Sequence, residues 1–137
     1  MEEIAAVLWA EIREELDALE LIQAERNAIQ ARIDVLLEQI EKVATAQGDA
    51  DLMNEESRIL FKIANINDTS AEATGEVNEL LQSATALDRG ADSSPQQIAA
   101  LERALDKAKY SKALSITLRD SLRDLLEELK EIAGRQP

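Results

Sequence analysis

Apolar side chains recur along this chain at alternating intervals of three and four residues. In the first third of the chain, ten of twelve successive positions in this repeat are apolar. The twelve positions hold Ala5, Leu8, Ile12, Glu15, Leu19, Ile22, Arg26, Ile29, Ile33, Leu36, Ile40 and Val43. This period places them along one stripe of an α-helix, which is typical of helices that pack lengthwise against one another, as in a coiled coil. It predicts a first helix over residues 2–47.

A glycine and two aspartates follow this helix. Gly48 lies where a glycine with positive φ closes a helix, and Asp49 and Asp51 are candidate N-caps for the next one. The repeat then resumes at Leu52, Glu56, Ile59, Ile63, Ile66, Ser70, Ala73, Val77, Leu80, Ala84 and Leu87. It predicts a second helix over residues 51–88.

Residues 65–75 leave two alternatives for this second segment. Their sequence, Asn-Ile-Asn-Asp-Thr-Ser-Ala-Glu-Ala-Thr-Gly, is poor in helix-forming residues. Thr69 and Glu72 match a capping box, which favours a turn and a fourth helix. The repeat, however, crosses the stretch without a change of phase, whereas a turn normally resets it. We therefore expect one continuous helix that is weakest near residues 70–75.

Glycine, serine and proline predict a second turn. Gly90 can close the second helix. Ser94 and Pro95 then supply an N-cap and a proline at the first helical position, and Gln97 is the residue that completes a capping box with Ser94.

The third helix is predicted over residues 95–133, and it ends before Gly134. Its repeat holds Leu101, Ala104, Ala108, Ser111, Ser115, Leu118, Leu122, Leu125, Leu129 and Ile132. The side chains in the first half of this repeat are mostly small, and those in the second half are mostly leucine. Because short connections make consecutive helices antiparallel neighbours, we expect an all-α, up-down-up antiparallel bundle or coiled coil of three long helices. The whole chain, residues 1–137, forms one domain in this interpretation.

Acidic side chains outnumber basic ones by 28 to 15, so the net charge is −13. This charge argues against binding to nucleic acid or to an anionic membrane surface, since both require basic stripes. Residues 1–47 and 48–93 each have a net charge near −7, whereas residues 94–137 are near +1. The basic residues of the third helix therefore either neutralise the acidic helices within the bundle or form a surface for a partner. They are Arg103, Lys107, Lys109, Lys112, Arg119 and Arg123.

The residue types needed for most catalytic and metal chemistry are scarce. The chain has no histidine and no cysteine, which zinc and di-iron sites in helical proteins require. Asp49-Ala-Asp51 begins like a calcium-binding loop, but no glycine occupies the sixth position, and Leu60 replaces the glutamate of the twelfth. We expect no catalytic residues, no metal and no cofactor.

The N-terminal sequence, Met1-Glu2-Glu3, is acidic where a signal peptide is basic. No apolar run approaches the ~18 residues of a membrane span. The expected location is the cytoplasm, and export by a route that needs no signal peptide is compatible with the sequence.

Glu15 and Arg26 are the two polar residues in the repeat of the first helix. Polar residues at such positions set register or partner choice at a cost in stability, and this is the specificity role we hypothesise for both. The alternative is that both long side chains reach solvent from the edge of the stripe.

The first ten residues extend past the bundle in the simplest hairpin geometry. A second helix that ends at residue 88 finishes level with about residue 10 of the first helix. The extension contains Ile4, Val7, Leu8 and Trp9, which we predict to bind a partner or a second copy. The alternative is that the extension folds against the loop at residues 88–94.

Short motifs in the second half of the chain occur in a recognisable order: Val77-Asn78, a polar turn from Asp88 to Pro95, Ile98-Ala99-Ala100-Leu101, Lys107 and Arg123-Asp124-Leu125. In this order they resemble the needle subunits of type III secretion systems, which are small helical hairpins. The resemblance covers residues 77–133. Needle subunits are shorter than this chain, and residues 1–70 have no counterpart in them. The resemblance implies a hairpin that assembles with further copies, and the small acidic helical chaperones that shield such subunits are similar in the same general way.

We therefore expect a non-enzymatic coiled-coil protein that acts through protein–protein association, as a homo-oligomer or as a subunit of a larger assembly. The alternative is an acidic helical chaperone or adaptor, or a needle-like component, linked to a secretion system. The expected partners are second copies or partner helices, with no nucleic acid and no membrane insertion.

Overall fold

The computed structural model describes residues 2–86 and 94–135, with side chains from residue 4 onward. Its helices are α1 (Glu2–Gln47), α2 (Ala50–Ala86) and α3 (Pro95–Gly134). The predicted all-α bundle of three long helices is confirmed. Both ends of α1, the start of α2 and both ends of α3 lie within one residue of the predicted ones. The predicted end of α2 at residue 88, its last repeat position Leu87 and its closing Gly90 lie outside the described residues, and so does most of the 88–94 loop against which the N-terminal extension could fold.

The turn between α1 and α2 is closed by backbone and side-chain hydrogen bonds within nine residues, from Ala44 to Leu52. Gly48 has a φ of 62°, a conformation that glycine adopts without steric cost. The Asp49 amide then donates to the Ala44 carbonyl at 3.1 Å, the bond of a Schellman motif. The Asp49 carboxylate accepts from the Leu52 amide at 3.1 Å. Asp49 is therefore the N-cap of the two candidates, and Asp51 lies in the first turn of α2.

The start of α3 agrees with its predicted cap. The Ser94 hydroxyl accepts from the Gln97 amide at 3.1 Å, and Pro95 opens the helix. The predicted end is one residue too early, because Gly134 is still helical. Arg135 follows with a right-handed φ of −82°, and its amide donates to the Glu131 carbonyl, so this end requires no glycine with positive φ.

Helix α2 runs through residues 65–75 without a break, as the phase of the repeat predicted. Ile66, Ser70 and Ala73 are all buried on its core face. The Thr69 hydroxyl donates to the Asn65 carbonyl at 2.8 Å, one turn back in the same helix. The alternative of a turn capped by Thr69 is therefore wrong.

We expect the backbone amides of residues 65–75 to exchange with deuterium faster than those of either flanking stretch of α2, because the residues there have low helix propensity. Hydrogen exchange resolved by NMR or mass spectrometry measures this. Gly75→Ala should slow the exchange and stabilise the protein by up to about 1 kcal/mol, since a β-carbon at Gly75 has no neighbour within 4 Å. Uniform protection along α2 in the wild-type protein would contradict the prediction.

Helix α3 lies against both other helices, whereas α1 and α2 contact each other over fewer residues. The short turn at Gly48 and the contact between Arg26 and Ser70, each 22 residues from that turn, make α1 and α2 antiparallel. The contacts of Glu15 with Lys112 and of Glu25 with Arg119 show that α1 and α3 are parallel. The bundle is thus up-down-up. The charges match this arrangement, because the nearly neutral α3 contacts both acidic helices more extensively than they contact each other.

The core divides into two apolar clusters, one at each end of the bundle. The turn-end cluster lies near the α1–α2 turn and comprises Ile29, Ile33, Leu37, Ile40, Ala44, Leu52, Ile59, Ile63, Ile66, Leu118, Leu122, Leu125, Leu126, Leu129 and Ile132. The N-terminal cluster comprises Ala5, Ile12, Ala84, Ala100, Leu101, Ala104 and Leu105. The predicted repeats supply most of both. In the second half of α1, however, Leu37 and Ala44 are more buried than the predicted Leu36 and Val43. The stripe drifts because 3.5 residues per turn differ from the 3.6 of a straight helix.

Candidate functional sites: a polar core layer and exposed apolar faces

The core between the two clusters contains buried polar side chains beside apolar ones. The polar ones are Arg26, Ser70, Ser111 and Ser115, and the apolar ones are Ile22, Ala73, Val77 and Ala108. The Arg26 guanidinium donates from Nη1 to the Ser70 hydroxyl at 2.6 Å and to the Gln23 side-chain carbonyl at 3.0 Å. We call Gln23, Arg26, Ser70, Ser111 and Ser115 the polar layer. The alternative in which Arg26 reaches solvent is wrong, because only 3% of its surface is exposed.

Arg26 has no carboxylate within ion-pair distance among the described residues. Burial lowers the pKa of its guanidinium, and its Nε–H has no hydrogen-bond partner within the same part of the chain. A buried charge without a counter-charge is expensive, so the layer lowers the stability of the bundle. What it supplies is a directional contact between α1 and α2, the two helices that share the fewest contacts. Such a contact is lost if one helix slides along the other. It is the basis of our hypothesis that Arg26 sets the register of α1 and α2.

Glu15 and Glu56 occupy repeat positions at the edge of the core. The Glu15 carboxylate lies 2.6 Å from the Lys112 ammonium of α3, and its side chain is 16% exposed. Glu56 is half-buried in α2, where burial and, to a smaller extent, the nearby Glu41 raise the pKa of its carboxyl. Glu15 therefore joins α1 to α3 rather than filling the core.

Every ion pair between two helices of the described structure involves α3. Lys112 pairs with Glu15, Arg119 and Arg123 pair with Glu25, Lys107 pairs with Glu76, and Arg58 pairs with Glu128. The hydrogen bond to Glu76, at 2.9 Å, raises the pKa of the Lys107 ammonium. Four of the six basic residues singled out in α3 thus neutralise the acidic helices within the bundle. Exposed pairs of this kind each contribute little, about 0–1 kcal/mol.

The N-terminal residues of α1 are only partly free. Ile4 and Val7 are 50% and 55% exposed. Leu8 and Trp9, however, pack against the N-terminal cluster. The expectation that all four extend beyond the reach of the other helices is therefore wrong for Leu8 and Trp9. The beginning of α3 supplies Ala100 and Leu101 to that cluster. The length of α1 that extends past the bundle was estimated from the end of α2, and that estimate did not include this part of α3.

A second apolar repeat runs along the outer face of α1, opposite the core. Leu21, Ala24, Ala28, Ala31 and Val35 are spaced by three and four residues, and all five are exposed. Leu21 is 69% exposed and Val35 is 55% exposed. We call these residues the outer stripe. Their spacing was readable in the sequence, but it becomes informative only once the first repeat is known to fill the core.

Further apolar side chains are exposed on α2. Met53, Leu60 and Phe61 are 40%, 47% and 68% exposed. On α3, the exposed Tyr110 ring lies beneath the Lys107 ammonium, which is 5.5 Å from the ring centre, so this ring is partly engaged.

The described surface has several shallow grooves. One, of about 220 Å³, lies between α1 and α2 and is lined by Leu16, Leu19, Glu20, Gln23, Thr74, Val77, Asn78 and Ser115. Across residues 2–86 and 94–135 no three side chains of the metal-binding types lie close enough together to hold an ion. None of the helices, over the same residues, has the length and apolar content needed to cross a membrane.

No protein-family model, curated protein or solved structure matches this chain.

Proposed function

We propose that this protein is non-enzymatic and acts through protein–protein association, as a homo-oligomer or as a subunit of a larger assembly. The observation that supports this most directly is the exposed apolar surface of α1. Ile4 and Val7 at its N-terminal end, and Leu21 and Val35 on its outer face, each leave half or more of their surface in water. Exposed apolar surface is costly to hydrate, and a partner that covers it gains binding energy.

The N-terminal end of α1 is the partner-binding surface in this proposal. Ile4 and Val7 lie within one turn of each other, and the partly buried Leu8 connects them to the N-terminal cluster. Trp9 lies on the other side of the core face, because it follows Val7 by only two residues. Indole fluorescence therefore reports on the integrity of the N-terminal cluster rather than on the contact itself.

The double variant Ile4→Ser/Val7→Ser tests the proposal. We expect the wild-type protein to self-associate in analytical ultracentrifugation. The variant should weaken the association while retaining the wild-type helical content, and its Trp9 emission should match that of the wild type because the N-terminal cluster is intact. Substitution is preferable to deletion of residues 1–9, because deletion would also remove Leu8 and Trp9 from the N-terminal cluster.

Met53→Ser/Leu60→Ser is the matched control, since it removes two exposed apolar side chains from α2 instead. A wild-type protein that stays monomeric at every concentration and binds no partner helix would refute the proposed function. An N-terminal variant that associates as well as the control would refute the role of Ile4 and Val7.

The second candidate function is that of an acidic chaperone or adaptor, including one linked to a secretion system. The groove between α1 and α2 favours it, because Leu16, Leu19 and Val77 line the groove and both helices are acidic. A basic amphipathic helix of a client is the occupant that this chemistry suits. Light scattering separates the two candidates: a monomer that becomes compact only with a client helix supports the chaperone, and a stable oligomer of the pure protein supports assembly.

A further inference from the structure

We propose that a second copy of this chain packs antiparallel against the outer stripe of α1, with the two-fold axis near Ala28. The inference rests on the proposed function, because it names the second copy as one of the partners. It assigns the outer stripe to the contact between two copies and leaves the N-terminal end free for further ones.

The order of side chains in the outer stripe suits a two-fold axis. Leu21 and Val35 are each seven residues from Ala28, and Ala24 and Ala31 lie between them. In an antiparallel pair, Leu21 of each copy lies opposite Val35 of the other, and alanines face alanines between them. The same patch thus contacts itself, as a closed dimer interface requires. The small central residues let the helix axes approach closely, while the larger ends fill the space where the axes diverge.

The charges that flank the stripe favour the antiparallel direction. With the axis near Ala28, Arg32 lies level with Glu25 of the second copy, and Lys42 lies level with Glu14 of the second copy. In a parallel, in-register pair Glu14 and Lys42, which continue the line of the stripe, would lie level with their own counterparts. Glu25, on one flank of the stripe, would face Glu20 on the other flank of the second copy. Like charges in direct opposition are destabilising, so the antiparallel arrangement is the one these residues fit.

The other flank of the outer stripe carries Glu20 and Asp34, and it provides a further test of the antiparallel arrangement. In the antiparallel arrangement Asp34 lies level with Glu20 of the second copy, so two carboxylates meet. Reversing one of them, with Asp34→Lys, would convert two repulsive contacts per dimer into attractive ones. In a parallel pair residue 34 would face Gln39 on the opposite flank of the second copy, so the same substitution would change the stability of that pair little.

The rest of the bundle leaves room for this contact. The outer stripe lies on the side of α1 opposite the core, so α2 and α3 are on the far side of each helix. An axis near Ala28 overlaps residues 9–47 of the two helices, a length of about 58 Å. Ile4 and Val7 lie beyond this overlap at both ends of the dimer.

Thiol cross-linking tests the direction of the pair, and the natural chain contains no cysteine to interfere. Leu21→Cys and Val35→Cys are prepared as separate single variants, mixed, and treated with a short bismaleimide. We expect a cross-link between the two variants that clearly exceeds the cross-link of either variant with itself. A dominant cross-link of Leu21→Cys with itself would show a parallel pair and overturn the proposal.

Ala28→Glu tests the stripe itself by placing two carboxylates at the axis. We expect sedimentation equilibrium to show a dimer dissociation constant at least tenfold higher, with unchanged helical content and melting temperature. Ala113→Glu, the same substitution at an exposed alanine of α3, should leave the dissociation constant unchanged, and Asp34→Lys should lower it.

The failures of the two proposals are distinguishable. Self-association that survives Ala28→Glu but is lost in Ile4→Ser/Val7→Ser overturns the outer-stripe dimer and leaves the proposed function standing. A protein that neither self-associates nor binds a partner helix overturns both.

Discussion

Truncation of Leu122 to alanine is expected to lower the free energy of unfolding by about 2–5 kcal/mol. Leu122 is 1% exposed and belongs to the turn-end cluster, to which all three helices contribute. Its loss removes buried apolar surface and leaves a cavity that long helices fill poorly, because moving one side chain inward shifts its whole turn. Chemical denaturation followed by circular dichroism measures the effect.

Leu60→Ala is the matched control for this truncation. This substitution removes the same side-chain atoms from the middle of a helix, but the side chain of Leu60 is on the surface and Leu60 is 47% exposed. We expect a change within about 0.5 kcal/mol, the usual range for surface substitutions. Equal effects of the two truncations would mean that the turn-end cluster is not the part of the core that stabilises the bundle.

Removal of the Ser70 hydroxyl is expected to have the second-largest effect. Ser70→Ala deprives the buried Arg26 guanidinium of an acceptor that now lies 2.6 Å away, and no water can replace it if the layer stays closed. Hydrogen bonds to charged groups contribute about 1.5–3 kcal/mol, and we expect a loss of stability in that range. Ser57→Ala, at an exposed position of the same helix, should change stability little.

The double variant Arg26→Met/Ser70→Ala distinguishes the stabilisation by the hydrogen bond from the cost of burying the Arg26 charge. Replacing both partners with apolar groups removes the unpaired charge, so stability should recover to the wild-type level or exceed it. The double-mutant cycle then gives the coupling energy between the two residues. If Ser70→Ala behaves like Ser57→Ala, the Arg26–Ser70 contact contributes nothing to stability.

The polar layer and the weak stretch of α2 coincide in space. Ser70 belongs both to the layer and to residues 65–75, and Ser111 of α3 donates to the carbonyl of Ala73 in the same stretch at 3.3 Å. The middle of the bundle therefore combines low helix propensity with a core that includes a buried, unpaired charge. The apolar clusters lie at the two ends, and the layer between them supplies the Arg26–Ser70 contact for which we hypothesise a register role.

Local information in the sequence determined the helices and their ends. The Gly48–Asp49 turn and the Ser94 cap are formed by residues within a few positions of one another, so their geometry follows from residue type. The continuity of α2 was also readable, because its repeat kept the same phase through residues 65–75. Most of the buried stripe of each helix followed from the same periodicity. The exceptions are the drift to Leu37 and Ala44 in α1 and the additional burial of Ala100, Leu105 and Leu126 in α3.

The candidate sites depended on contacts between residues far apart in the chain. Periodicity marked Arg26 as unusual but left its environment undecided, because its acceptor Ser70 lies 44 positions away on another helix. Likewise, the burial of Leu8 and Trp9 depends on how far α3 extends beside α1, and the exposure of Leu21 and Val35 depends on which of two apolar stripes faces the core. A sequence pattern fixes which side chains share a helix face, whereas only the packing of helices decides which face is covered.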